Sequence, residues 1–446
     1  MDVIVPPGIP PGLIIAAPRS GGGKTTVTLG LLAALRATGV RVQPFKCGPD
    51  YIDPAFHAAA AGRPSVNLDS WAMRKGVIDN LIFDHLTGAD LAVCEGVMGL
   101  FDGVAAVGAW GTGATADIAV ATGWPVVLVL DVSGQAQTAA AVALGCARLR
   151  PDVTVAGVIL NKVGSERHRR LVAGAMAAAG FRVFGALPRL DEVALPERHL
   201  GLVQAGETTD LLAKLTAIGN FVAGHVDLLA LKAAAVPLRL PAPQLAMRQA
   251  PPGQRIALAR DTAFSFIYPH LLAAWRTAGA EIVPFSPLSD EPADTAADAI
   301  WLPGGYPELH GEQLAAAASF LNSLRAAASN GTFVHGECGG FMVLGQGLVD
   351  AKGVRHQLAG LLSAETSFEK PKLHLGYRQA VLAADCPLGR RGDTIRGHEF
   401  HYASLIHQNE APLAAITDAE GTPVAETGAR RGVVSGSFFH MIDRAD

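Results

Sequence analysis

A strand-like apolar run leads into Ala17-Pro18-Arg19-Ser20-Gly21-Gly22-Gly23-Lys24-Thr25-Thr26. Gly21, Gly22 and Gly23 allow the backbone to bend until several N–H groups face one anion. Lys24 brings charge to the outer phosphates of a nucleotide, and the Thr25 hydroxyl can hold Mg2+; the loop through Thr26 is a phosphate cradle. The leading glycine usual in such loops is replaced here by alanine or proline. Nucleotide chemistry also needs carboxylates. Glu95 ends the apolar run Leu91-Ala92-Val93-Cys94 and suits a second Mg2+ ligand. Asp50 and Asp53 lie in KCGPDYIDP, and Asp102 lies in GLFDG. Singly each reads as a solvated or capping carboxylate. Three acidic loops after strands of one phosphate-binding sheet favour a functional reading. Asn161 follows another strand, in a position that faces a nucleotide base in such folds.

A second constellation lies far along the chain. The run Thr332–His335 enters Gly336-Glu337-Cys338-Gly339-Gly340, and an apolar helix follows from Phe341. G-x-C-x-G between strand and helix is a nucleophile elbow with cysteine in place of serine. A helix N-terminus there is expected to favour thiolate over thiol. Acyl transfer needs an oxyanion hole, and Pro303-Gly304-Gly305-Tyr306-Pro307 offers backbone N–H groups. It also needs a base, for which His398, His401 and His440 rank alike on chemistry alone.

These groups require a frame. From Gly12 to about Lys232 apolar strands alternate with amphipathic helices: strands at Gly12–Ala17, Val40–Phe45, Asp90–Cys94, Pro125–Val132, Val153–Leu160 and Arg182–Ala186, and a helix at Thr25–Arg36. Such alternation predicts a mostly parallel sheet with helices on both faces and ligands beyond the strands' carboxyl ends. Prolines 237, 241, 243, 251 and 252 interrupt the pattern, and strand–helix alternation then resumes. The expected division is 1–240, a linker at 241–254, and 255–446.

Composition narrows the classes. In 446 residues, 36 Lys and Arg against 40 Asp and Glu give a net charge of −4, against a general nucleic-acid binder. With 17 % charged and 50 % apolar residues, buried cores are expected and disorder is not. No charge-free run reaches the roughly 18 residues of a spanning helix, and Met1-Asp2-Val3 lacks the basic start of a signal peptide. Cysteines 47, 94, 146, 338 and 386 are scattered without C-x-x-C spacing, which fits a reduced cytoplasm.

The glycine loop followed by KCGPDYIDPAFH, CEGVMGLFDG, LPERHLGL, PGGYPE, HGECGGFMVLG, GHEFHY and a terminal GSFFH resembles the cobyrinic or hydrogenobyrinic acid a,c-diamide synthases of cobalamin biosynthesis, over nearly the whole chain. The resemblance implies an α/β chain: a P-loop, dethiobiotin-synthetase-like parallel-sheet domain, then a class I glutamine-amidotransferase-like domain. It implies Cys338 as glutaminase nucleophile, His440 as the group raising its reactivity, and an oxyanion N–H near Gly305. Residues Gly21 to Thr26 match the ATP loop, with Thr25 and Glu95 as Mg2+ ligands. Asp50, Tyr51, Asp53 and Asp102 match residues around the corrinoid carboxylate and transferred phosphate. Related glutaminases often carry a glutamate two residues after the histidine. Here that residue is Ile442, and Asp443 is one position too far.

The implied reaction is ATP- and glutamine-dependent amidation of the a and c acetates through an acyl phosphate, with ammonia passing internally from Cys338. A polycarboxylate substrate on a net-negative protein calls for a local basic surface, for which Arg198 and His199 are candidates. The partners implied are L-glutamine and the corrinoid, with no nucleic acid, no membrane, and a homodimer as candidate assembly. Rival readings are cobyric acid synthase, a nickel-sirohydrochlorin a,c-diamide synthase, and a non-catalytic P-loop regulatory ATPase.

Overall fold

The computed structural model describes residues 9–189, 197–198, 201–202, 204–240 and 249–445. The chain divides into two compact units, Met1–Trp71 with Lys75–Ala246, and Ala72–Arg74 with Met247–Asp446. No helix among the described residues is long and apolar enough to cross a membrane.

The first unit begins with β1 (Gly12–Ala16), α1 (Lys24–Ala37), β2 (Val42–Cys47), α2 (Asp53–Ala61), β3 (Val66–Leu68), α3 (Lys75–Leu86) and β4 (Leu91–Glu95). It continues with α4 (Thr115–Thr122), β5 (Val126–Asp131), α5 (Thr138–Leu149), β6 (Val155–Val163), α6 (Glu166–Ala178) and β7 (Val183–Pro188). Strands β1 to β7 form one parallel sheet in the order β3-β2-β4-β1-β5-β6-β7. The central strands β1, β4 and β5 are apolar except for the carboxylates Glu95 and Asp131 that end β4 and β5, because helices cover both faces; every residue of β1 and β4 is buried. A two-residue antiparallel pair, β8 (Glu197–Arg198) and β9 (Gly201–Leu202), and helices α7 (Leu211–Ala223) and α8 (Leu228–Ala233) complete the unit. Helix α1 packs on α7, with Gly30 lying against Ile218 and Val222.

The end of one strand differs from the expectation. Strand β6 does not stop at Leu160 but runs through Asn161 and Lys162 to Val163, with an irregular register and a positive φ of 59° at Lys162. Of the proline-rich stretch 241–254, residues 241–248 lie outside the described residues. His199 also lies outside them, as does the side chain of Arg198.

The second unit opens with β10 (Arg255–Ala259), α9 (Pro269–Thr277), β11 (Glu281–Phe285), β12 (Ala299–Leu302), α10 (Gly311–Ala316), α11 (Ala318–Ser329), β13 (Phe333–Glu337) and α12 (Gly339–Leu344). There follow β14 (Gly347–Val349), β15 (Arg355–Gln357), β16 (Glu365–Ser367), β17 (His374–Leu382), β18 (Thr394–His401), β19 (Ser404–His407) and β20 (Ala414–Thr417). The last three strands are β21 (Ala429–Arg431), β22 (Val434–Ser437) and β23 (Phe439–Arg444). The main sheet has the order β11-β10-β12-β13-β22-β21, parallel except at its β21 edge. Two four-stranded sheets, β15-β14-β16-β19 and the antiparallel β20-β17-β18-β23, were not expected from sequence. The chain leaves the main sheet at Ser437 and enters the antiparallel sheet at Phe439. Phe438 marks the bend and packs edge-on against Phe341, with ring centroids 5.3 Å apart.

Candidate active sites

In the first unit the loop after β1 is closed by its neighbours. Gly23 adopts φ 84°, and a Cβ there would lie 2.2 Å from the Asn161 amide nitrogen. Only glycine meets both demands. The Asn161 Nδ2 donates to the Gly22 carbonyl at 3.1 Å, while its Oδ1 accepts the Lys162 N–H at 3.0 Å. In this state Asn161 braces the loop instead of presenting its amide to a base. The loop Gly96–Gly103 lies against the same turn: Leu100 N–H donates to Ala17 O at 2.8 Å. Within it Asp102, exposed, accepts the Gly99 N–H at 2.9 Å.

Strands β2 and β4 run side by side, with Lys46 opposite Glu95. Glu95 is fully buried, and both of its oxygens are taken. Its Oε1 accepts the Thr25 hydroxyl at 2.6 Å and the Lys46 ammonium at 3.0 Å; its Oε2 lies 2.6 Å from His57 Nε2. Lys46 also binds Asp53 and lies 3.9 Å from Asp50. Burial opposes a charged lysine here, but Asp53 and Glu95 override it and hold Lys46 well above its ordinary value. The same attraction holds Glu95 below the usual carboxylate range despite its burial. Burial and the Asp50 charge push Asp53 up to about 7. Burial and the neighbouring Lys46 lower Lys24. Asp50 has a capping role as well: its Oδ1 accepts the N–H groups of Ile52 and Asp53 at 2.8 and 2.9 Å, fixing the first turn of α2. Tyr51 lies half-buried beside it.

The structure therefore brings Thr25, Glu95, Asp50 and Asp53 together around Lys46. Sequence reasoning passed over Lys46 and His57, although both stand in the quoted string KCGPDYIDPAFH. It also missed Asp131 at the end of β5, which accepts from Lys162 Nζ at 2.8 Å and Arg19 at 3.4 Å. A carboxylate ending an apolar strand was the available signal, the same one that marked Glu95.

In the second unit Cys338 occupies the turn between β13 and α12 with φ 48° and ψ −105°, a backbone that side chains rarely adopt. The helix starts at Gly339, directly after the cysteine, and not at Phe341. The turn is fixed from both sides: Cys338 N–H donates to Ser437 O at 2.7 Å, and Gly340 N–H donates to Pro303 O at 3.1 Å. A Cβ on Gly304 would lie 2.2 Å from His440 Cε1 and 3.2 Å from Cys338 Cβ. Gly304 is thus the wall shared by the two. A Cβ on Gly339 would lie 3.1 Å from Gly305 N, so the backbone of the PGG loop faces the elbow.

The expected thiolate is not found. Cys338 is only 2 % exposed. Burial and the nearby Glu308 push its thiol well above the ordinary value, against a hydrogen bond from Gly339 N–H, with Glu399 and Glu337 adding to the rise. A six-residue helix does not overcome desolvation of the anion in that setting. His440, fully buried, is held down to about 3 by burial and by His398 and His401, so it is a neutral imidazole at pH 7. Cys338 Sγ lies 3.8 Å from the Phe400 carbonyl.

Residues Ile442 and Asp443 do not complete a triad. Asp443 Oδ2 accepts the backbone N–H and Nε of Arg74 at 2.9 and 3.0 Å, and its Oδ1 accepts Arg74 Nη2 at 2.8 Å. Of the histidines left equal by chemistry, His398 pairs with His440 across β18 and β23, and His401 is bonded to Glu399 at 2.7 Å.

Comparison with known proteins follows the same division. Residues 13–203 match the CobQ/CobB/MinD/ParA nucleotide binding domain, and residues 255–446 match the CobB/CobQ-like glutamine amidotransferase domain. The chain is 58 % identical to a hydrogenobyrinate a,c-diamide synthase of Rhodobacter capsulatus, over 97 % of this chain and 99 % of the relative. It is 54 % identical to that of Mesorhizobium japonicum, over 97 % and 98 %, and 52 % identical to that of Agrobacterium fabrum, over 96 % and 98 %.

Proposed function

The chain belongs to the hydrogenobyrinate a,c-diamide synthases, and on that basis we propose that it amidates the a and c acetate side chains of hydrogenobyrinic acid, using ATP and glutamine. The observation that carries the reading is that one chain holds both a Thr25–Glu95–Lys46 constellation on a phosphate loop and a Cys338–His440 elbow. The relatives' names favour the metal-free macrocycle over the cobalt-bearing one. ATP and glutamine as co-substrates, with five free cysteines, support a cytoplasmic location.

Ammonia does not displace oxide from a carboxylate. The carboxylate must first accept a phosphoryl group, giving an acyl phosphate with a good leaving group. Gly21 to Thr26 cradle the triphosphate, and Lys24 offsets the charge that builds on the transferred group. The hydroxyl of Thr25 and the carboxylate of Glu95, hard oxygen donors in mutual contact, suit Mg2+. When bound, Mg2+ would neutralise phosphate charge. Lys46 and Asp53 face the same place and orient the acceptor carboxylate, with Asp50, Tyr51 and Asp102 shaping its approach.

At the elbow, neutral His440 takes the Cys338 proton as the sulfur attacks the glutamine amide carbon. Backbone N–H groups of Gly305 and Gly339 stabilise the oxyanion. Ammonia leaves, a thioester remains, and water hydrolyses it. Free ammonia is protonated in bulk water, so an enclosed route to the acyl phosphate is part of the proposal.

The experiment supplies ATP, glutamine and either hydrogenobyrinate or cobyrinate, and counts amides by mass. Two amides on hydrogenobyrinate are expected. Cys338→Ser should abolish glutamine-dependent synthesis while ammonium salts still support it. Loss of both activities in a folded variant contradicts the two-site mechanism.

A further inference from the structure

Strand β18 carries a cluster on the face opposite His398 that the proposed reaction does not use. His374, Glu399 and His401 present one ligand atom each, all within 4.8 Å of one another. His374 and His401 are directly opposed across β17 and β18. Their rings stack at 4.6 Å with an 8° interplanar angle, and Phe438 stacks on the other side of His401 at 3.9 Å.

The partners of these groups orient them. His401 Nδ1 donates to the Ala403 carbonyl at 3.0 Å, which leaves Nε2 as the ring's second atom, pointed at Glu399 Oε1 2.7 Å away. In the neutral ring that nitrogen is an acceptor facing an acceptor, so the close approach calls for positive charge there, from a proton or a metal ion. Glu399 Oε2 is held by Arg378 Nε at 2.5 Å. A backbone carbonyl on the far nitrogen of a histidine and a donor on the far oxygen of a carboxylate are the outer contacts that orient metal ligands.

We propose that His374, Glu399 and His401 form a site for a divalent cation of the zinc class, beside the glutaminase elbow. Two imidazoles and one carboxylate are a usual set of three protein ligands with a fourth position open to water. Tetrahedral ligands on zinc lie roughly 3.4 Å apart, so the His401–Glu399 pair at 2.7 Å must open slightly and His374 must come closer. His374, half-buried at the rim beside Glu426, is the group able to turn inward. The other two are buried and already adjacent. The site is distinct from the loop that faces nucleotide, and its donors are nitrogen as well as oxygen, which selects against Mg2+.

The test uses the full-length protein stripped with a chelator and titrated with zinc chloride by calorimetry, then with cobalt(II) followed by visible absorption. One equivalent is expected, with intense cobalt bands of a four-coordinate site. His374→Ala should weaken zinc binding at least tenfold while leaving the melting temperature of the metal-free protein and ammonia-dependent synthesis unchanged. Cys338→Ser should bind as the unaltered protein does. This outcome stands or falls independently of the proposed reaction. Absence of binding, binding indifferent to His374→Ala, or binding lost with Cys338→Ser overturns the proposal.

Discussion

Gly304→Ala isolates the glutaminase geometry with a single methyl group. Its Cβ would lie 2.2 Å from His440 Cε1 and 3.0 Å from Nε2. Non-bonded carbons rest at about 3.5 Å or more, so the imidazole must move by roughly 1.3 Å. His440 is fully buried, and its backbone is paired to β18 at His398, so the ring and not the strand gives way. Misplacement of a reacting group by about 1 Å costs on the order of 100-fold in rate. That is about 2.7 kcal/mol of barrier. Because the ring tip can yield, the cost to folding stays near the lower end of the ~1–3 kcal/mol seen for overpacked cores. The assay pairs glutamine hydrolysis with ATP-dependent amidation from ammonium salts. Hydrolysis should fall at least 100-fold while ammonia-dependent amidation remains within about twofold. A folded Gly304→Ala protein that hydrolyses glutamine within threefold of the parent would refute the placement of His440 beside Cys338.

Further predictions address other groups. Lys46→Met removes the cation among Asp53, Glu95 and Asp50, and amidation should fall at least 100-fold with either nitrogen donor, measured with circular dichroism as a fold control. Asn161→Ala removes the brace on Gly22 and should weaken binding of an adenine nucleotide about tenfold by calorimetry, with glutamine hydrolysis unchanged. Glu337, pushed by burial up to about 8, stays protonated in the fold where the unfolded chain ionises near the ordinary value of 4.5. Its contribution to stability is therefore full below about pH 4.5 and lost as pH rises through about 8. Glu337→Gln should flatten that decline, gaining on the order of a few kcal/mol over the parent at pH 9 in denaturant titrations.

The α/β class and the two motif loops were legible because their chemistry is written in contiguous strings. A strand, three glycines, Lys24 and Thr25 define an anion cradle without distant information, and small residues flanking Cys338 define an elbow. Lys46 and His57 were not legible as site groups. Their roles depend on β2 lying beside β4, which sets Lys46 opposite Glu95, and on α2 turning His57 onto the same carboxylate. Asn161 was read as a base-facing residue because sequence cannot show that its amide is occupied by Gly22. The antiparallel sheet went unseen because β17 and β18 carry histidines, glutamate and arginine where alternation would call for apolar residues. Those polar residues pair with one another across strands, so burial costs less than the sequence suggests.

The resting elbow has a consequence for control of ammonia release. With the Cys338 thiol pushed up and His440 pushed down, the neutral pair is the stable form, and the thiolate–imidazolium pair must be made in a buried place. Desolvation of two charges opposes that transfer. In the proposed mechanism bound glutamine changes the balance, because the negative charge would move from sulfur to the amide oxygen, facing the Gly305 and Gly339 N–H groups. The cation left on His440 then faces the leaving nitrogen and can be discharged onto it. Burial, which makes the free enzyme a poor nucleophile toward adventitious electrophiles, therefore makes proton transfer conditional on a substrate whose oxygen fits the backbone donors. The high thiol value is in this way compatible with catalysis, and alkylation by a bulky neutral reagent should be slow at pH 7 while glutamine turnover is not.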